Sequence, residues 1–113
     1  MKEIKTIIQP HMLNRVLDAL HACEHFPGVT ISDCQGQGRG RGKGGHYEAT
    51  DDTIFFAKKV KLEMTCTDTV CDHLVAVIRK AAHTGNPGDG LITVAAVDRV
   101  LRIRTDEIQD DAV

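Results

Sequence analysis

From Gly36 to Gly45 the chain reads GQGRGRGKGG, six glycines interleaved with Arg39, Arg41 and Lys43. Glycine lets a backbone approach a ligand closely, and its N–H groups can point at an anion. A cationic run of this kind buries no core, so it predicts a mobile arm built to meet something negative. The same composition also suits a solvated loop or an RGG-like nucleic-acid tether. A second group, His21, Cys23 and His25, offers soft donors, since imidazole and thiolate suit zinc or copper. On a helix His21 and Cys23 stand about 200° apart, whereas His21 and His25 fall at i, i+4. A third ligand is missing, and the alternative is partly buried polar residues at a helix end. Cys66 and Cys71 read as core or capping positions. Cys34, at the root of the glycine run, reads as a small buried apolar group or a redox handle. The carboxylates are scattered or gathered in the tail, and no nucleophile stands beside a base, so the chain reads as a non-enzyme.

The elements that must position these residues follow from periodicity. Residues 2–9 are short and β-branched and stop at Pro10. Leu13, Val16, Leu17 and Leu20 fall at i, i+3, i+4 and i+7, which predicts an amphipathic helix ending before Pro27-Gly28. Residues 29–35 predict a strand, a loop fills 36–57, and 58–66 predict a second strand with Val60, Leu62 and Met64 on one face. Thr67 or Asp68 caps a second helix, whose apolar face is Val70, Leu74, Val77, Ile78 and Ala81 and whose C′ residue is Gly85. Asn86 to Gly90 is a tight turn, Leu91 to Ala95 a fourth strand, and Val100 to Thr105 a short extended piece. The tail DEIQDDAV is expected to be mobile. The order β-α-β-β-α-β predicts an α+β, ferredoxin-like fold, an antiparallel four-stranded sheet with both helices on one face. The abundance of apolar strand residues predicts self-association through the other face.

The totals bound the rest. A chain of 113 residues is a single domain with one core. A net charge of −2, one Tyr, three Phe and no Trp argue against nucleic acid as a partner, because the basic face and the stacking rings are missing. The opening MKEIKTIIQP lacks the apolar centre of a signal peptide, and no stretch is long enough to span a bilayer. Four cysteines without a CxxC are expected to be reduced thiols in a cytoplasmic chain.

Nearly the whole chain resembles the P-II signal-transduction proteins. The opening residues 1–20 are similar to that family's first strand and helix. Gly36-Gln-Gly-Arg39 is similar to the base of its long T-loop, and Lys59-Val-Lys-Leu-Glu63 to the strand that follows. The most specific parts are Thr84-Gly-Asn-Pro-Gly-Asp-Gly90, similar to the B-loop, and Val100-Leu-Arg-Ile-Arg-Thr105, similar to the C-terminal RIRT segment. The resemblance implies one domain over 1–113, with the T-loop at about 36–57, the B-loop at 84–91 and a C-terminal segment at 100–113. It implies a homotrimer with an adenine nucleotide in each cleft between subunits. Ile7, Gly36, Gly38, Arg39, Gly88, Asp89 and Gly90 would line the cleft, with Thr30 and Glu63 facing the adenine and ribose region. Arg102 and Arg104 of the neighbouring subunit would meet the phosphates. Glycine N–H groups suit phosphate, and two arginines leaving one side of a strand suit bidentate contact.

Departures from the family pattern refine this expectation. Tyr47-Glu-Ala-Thr-Asp-Asp52 replaces the tyrosine-bounded segment that is uridylylated, which argues against covalent control by that route. Gly40, Gln9 and Leu91 stand where the family has a glutamine and two basic residues. A nucleotide with fewer phosphates is therefore expected, ADP or AMP ahead of ATP, without 2-oxoglutarate. The divergent branch that this chain resembles is linked to transporters of heavy-metal ions or inorganic carbon. The expected partner is therefore a membrane transporter or an enzyme tied to one, met at the inner membrane face through Arg41, Lys43, His46 and Tyr47. The alternative is a metal-responsive trimer of CutA-like shape using His21, Cys23 and His25.

Overall fold

A computed structural model describes residues 1–37 and 56–113. Its strands are β1 (Lys2–Ile8), β2 (Thr30–Gly36), β3 (Ala57–Cys66) and β4 (Leu91–Ala96), and its helices are α1 (Leu13–His21) and α2 (Asp68–Ala82). The four strands form one sheet in the order β2-β3-β1-β4, with every neighbouring pair antiparallel. This is the ferredoxin-like arrangement that the order of elements predicts.

Strand alternation sorts the residues. Ile4, Thr6 and Ile8 of β1 stand opposite Met64, Leu62 and Val60 of β3, and all six are buried. Val16 and Leu20 of α1 and Leu74 and Ile78 of α2 close the core over that face. In α2, Cys71 takes the buried position expected of Val70, which is only partly covered. The hydroxyl of Thr6 is fully buried and has no hydrogen-bond partner among the described residues.

Several expectations need correction. Helix α1 ends at His21, with the Ala22 N–H donating to Asp18 and Leu20 carbonyls, so His25 lies beyond the helix. Helix α2 ends on an extended His83, and Gly85, although at φ +87°, lies past the C′ position. Thr67 occupies the N-cap without a side-chain capping bond, its hydroxyl meeting that of Thr69 at 3.0 Å. Asp68 instead takes the N-terminal ammonium at 2.8 Å, and that hydrogen bond holds its carboxyl below the ordinary value.

The open face of the sheet is not apolar. Register places Glu3 opposite Thr65, Lys5 opposite Glu63 and Ile7 opposite Lys61 there, because the apolar strand residues point at the helices. Of the large exposed apolar side chains, Leu91 of β4 stands on this face beside Ile7, whereas Val94, Leu101, Ile103 and Ile108 lie elsewhere. The segment from Val100 to Thr105 is not a strand. Leu101 makes an isolated bridge to Ile108, and residues 102–106 form a turn closed by the Asp106 N–H on the Arg102 carbonyl at 2.9 Å. The two arginines therefore owe their placement to a turn and not to strand alternation. The acidic tail is folded, ending in a 3-10 turn (Gln109–Ala112) with Ala112 buried. Among the described residues, no helix is long and apolar enough to cross a membrane.

Candidate functional site

The described site residues fall into two groups. The first surrounds the loop after α2. Its shape comes from Asp89, whose carboxylate accepts hydrogen bonds from the Thr84 N–H at 2.8 Å, the Gly85 N–H at 2.9 Å and the Thr84 hydroxyl. The Thr84 hydroxyl also accepts from the Asn86 N–H at 3.1 Å. With three donors converging on it, the Asp89 carboxyl sits at about 2, the Thr84 hydroxyl contributing most. Asp89 is thus the clasp that closes the loop, and its side chain is turned into the loop instead of outward to a ligand.

Glycine is required where this loop meets the sheet. At Gly90, φ is +108°, and a Cβ would lie 1.8 Å from the Ile7 carbonyl oxygen. The loop therefore rests directly on the end of β1. At Gly88, φ is +93°, and a Cβ would lie 2.6 Å from Gln9 Nε2. Lys59 Nζ donates to the Gly88 carbonyl at 3.0 Å. Gly36, the last residue of β2, approaches the same corner, since a Cβ there would lie 3.7 Å from Lys59 Cγ. Ile7, Gly36, Gly88, Asp89 and Gly90 are thus brought to one end of the sheet.

Lys59 was not among the expected site residues, and Gln9 was expected only as a departure from a basic residue of the family, yet both touch the loop. Strand parity is the signal that could have found them. Lys59 shares the open face with Lys61 and Glu63, and Gln9 continues the parity of Lys5 and Ile7.

The second group lines an open groove of about 620 Å³ that includes Gly28, Thr30, Glu63, Arg102, Arg104 and Ala112. Thr30 pairs with Glu63 across β2 and β3, and Glu63 lies 3.7 Å from Lys61. The Arg102 N–H donates to the Glu107 carbonyl at 2.8 Å, and its Nε donates to the Ala112 carbonyl at 2.9 Å. Arg104 is exposed and makes no hydrogen bond or ion pair among the described residues. None of Ile7, Gly36 or residues 88–90 lines this groove. Glu63 and Lys59 are four residues apart on β3, so the two groups lie about 13 Å apart along the strand.

Gly38, Arg39, Arg41, Lys43, His46 and Tyr47 lie outside the described residues. The candidate metal ligands of the alternative reading are not gathered. The His21 ring packs edge-on against Phe26 at 5.2 Å, and Cys23 Sγ donates to the Ala19 carbonyl at 3.5 Å. Among the described residues no group of three or more His, Cys, Asp or Glu side chains is placed to hold a metal ion. All four cysteines are free thiols. Cys66 is pushed up to about 11, first by burial and then by the neighbouring Cys71, which keeps it protonated and unreactive at neutral pH.

A family model described as nitrogen regulatory protein P-II matches residues 1–107. The chain is 39% identical to the nitrogen regulatory protein P-II of Azospirillum brasilense and 37% identical to that of Rhodospirillum rubrum. It is 36% identical to the nitrogen regulatory protein GlnK of Escherichia coli. Each of these alignments spans 113 residues and covers the whole of both chains. With a four-stranded ferredoxin-like sheet, a glycine loop seated on β1 and an arginine turn before the C-terminus, matched end to end by these relatives, the chain belongs to the P-II family of nitrogen regulatory signal-transduction proteins.

Proposed function

We propose that this chain is a trimeric regulator that binds an adenine nucleotide between subunits and controls a partner protein through residues 36–57. The observation that carries the proposal is the separation of the two groups of site residues. A diphosphate reaches only a few ångströms, so the phosphates of one ligand do not meet both the glycine loop and the arginine turn of one protomer, about 13 Å apart along the strand. A neighbouring subunit that brings its arginine turn to the glycine loop completes the site. Ile103, which is 95% exposed between the two arginines, is the kind of apolar side chain that such a contact would cover. The clasped loop would present the N–H groups of Gly88 and Asp89 to phosphate, with Lys59 supplying the charge beside them. Arg102 and Arg104 of the neighbour would add charge-assisted contacts. Thr30 and Glu63 of that neighbour, which share a groove with its arginines, would receive the nucleoside end.

The number of phosphates follows from the cations present. Leu91 stands exposed where the family has a basic residue, and Gln9 offers an amide in place of a second one. Fewer positive charges favour ADP or AMP over ATP, and 2-oxoglutarate is not a ligand. The bound phosphates would bias residues 36–57, including Gly38, Arg39, Arg41, Lys43, His46 and Tyr47, between states that dock or release the partner. The proposed partner is a membrane transporter for metal ions or inorganic carbon, or an enzyme associated with one. The basic residues of that segment suit an acidic docking surface.

Calorimetry with ADP, AMP and ATP, combined with light scattering, tests this reading. The expected result is a particle of three chain masses that binds ADP or AMP at least as tightly as ATP. 2-Oxoglutarate should leave ATP binding in magnesium unchanged. Arg104→Ala should cost ~1.5–3 kcal/mol of ADP affinity, the worth of a hydrogen bond to a charged group. A particle of one chain mass, or ATP affinity raised by 2-oxoglutarate, would contradict it.

A further inference from the structure

The end of the chain has a feature that ligand binding alone does not require. The residues after Ile108, rich in carboxylates, fold back onto the arginine turn. Gln109 holds them there. Its N–H donates to the Val100 carbonyl at 3.0 Å, and its Oε1 accepts from the Val100 N–H at 3.2 Å. Its Nε2 reaches the Asp98 carbonyl at 3.4 Å, and its backbone takes φ +55° to turn the corner. The strap then delivers Ala112, only 2% exposed, to the groove, where its carbonyl accepts from Arg102 Nε at 2.9 Å.

That contact uses one of the five N–H donors of a guanidinium. It fixes the direction of a side chain that otherwise samples many rotamers, and it leaves the terminal Nη groups available to a ligand. Arg104, two residues on, has no such anchor among the described residues. The geometry points to the C-terminal strap as a positioning element for Arg102, holding its guanidinium in advance for the phosphate of a nucleoside diphosphate. Ordering Arg102 before binding removes part of the entropic cost of the contact. The inference rests on the nucleotide reading of the groove. It adds that the two arginines are unequal, one held by the tail and one free to adapt.

The test uses full-length protein and a chain ending at Asp111, which lacks the Ala112 carbonyl, each also carrying Arg102→Ala or Arg104→Ala. ADP binding is measured by calorimetry. Truncation is expected to weaken binding roughly 3- to 10-fold, the scale of losing one preorganised side chain. It should have no further effect with Arg102→Ala and its full effect with Arg104→Ala. Equal affinity of the truncated and full chains would overturn the proposal. So would the same loss on the Arg102→Ala background. If Arg102→Ala alone leaves ADP binding unchanged, the nucleotide reading of the groove fails, and the strap proposal falls with it. A second measurement needs neither truncation nor ligand. The Nε–H of Arg102 in the full chain, resolved by nitrogen-15 spectroscopy and assigned through Arg102→Ala, should exchange with solvent more slowly than that of Arg104. Equal exchange rates would overturn the proposal.

Discussion

Asp89 shows how one carboxylate can shape a loop from within. Its three donors all lie in the loop itself, at Thr84 and Gly85. They lower its value from 3.8 to about 2. Because the folded value is depressed, the clasp is fully in place above the unfolded value near 3.8 and is lost as pH falls through about 2. A titration of the Asp89 side-chain carbon by nuclear magnetic resonance should therefore have its midpoint near 2, with the Thr84 and Gly85 amides moving together with it. A midpoint at the ordinary value would show that the clasp is not formed. Thr6 presents the opposite case, a fully buried hydroxyl without a partner among the described residues. An unsatisfied buried hydroxyl costs about 1–3 kcal/mol, and valine has nearly the same shape. Thr6→Val should raise stability to urea by ~1 kcal/mol, and a loss of stability would mean that the hydroxyl is satisfied in solution.

Among the elements, the glycine loop depends most on its neighbour. It rests on β1 through Gly90, where a side chain would collide with the Ile7 carbonyl. Gly90→Ala must therefore lift the loop or distort β1, at a cost of ~1–3 kcal/mol in urea unfolding, the range for a residue held in a strained backbone region. Unchanged stability would show that the loop does not rest there. β3 and the two helices were legible in the sequence because one face of each is apolar at a fixed period. The buried face of β3 and the Leu13 to Leu20 face of α1 follow directly from that rule. The C-terminal segment was not legible. Alternating Leu101, Arg102, Ile103 and Arg104 reads as a strand, but backbone bonds from Arg102 to Glu107 and Asp106 close a turn instead. The acidic tail reads as mobile, yet Gln109 and Ala112 anchor it through contacts to main-chain groups that composition does not reveal. The Asp89 clasp was hidden for a similar reason. Gly-Asp-Gly has the same residue types whether the carboxylate points outward or into its own loop.

For the whole molecule, sheet order explains why the candidate site is divided. β2 and β3 run antiparallel, so the end that carries Gly36 and Lys59 is remote from the end that carries Thr30 and Glu63. The glycine loop joins the first end, and the arginine groove joins the second. The apolar surface at Leu101, Ile103 and Ile108 lies on the arginine segment, so a contact that covers it would also bring the arginines to another subunit. The account therefore turns on a cleft shared between subunits, and mixed assemblies test it most directly. In the proposed cleft Gly88→Asp would place a carboxylate in the loop that meets phosphate, and Arg104→Ala would remove a phosphate contact, so neither variant alone should bind ADP well. Co-assembled, the two should form clefts in which an intact loop from one chain faces intact arginines from the other. ADP binding by calorimetry should then recover in the mixture to a fraction of wild-type sites at wild-type affinity. A mixture of folded, co-assembled variants that binds ADP no better than either variant alone would contradict the shared cleft.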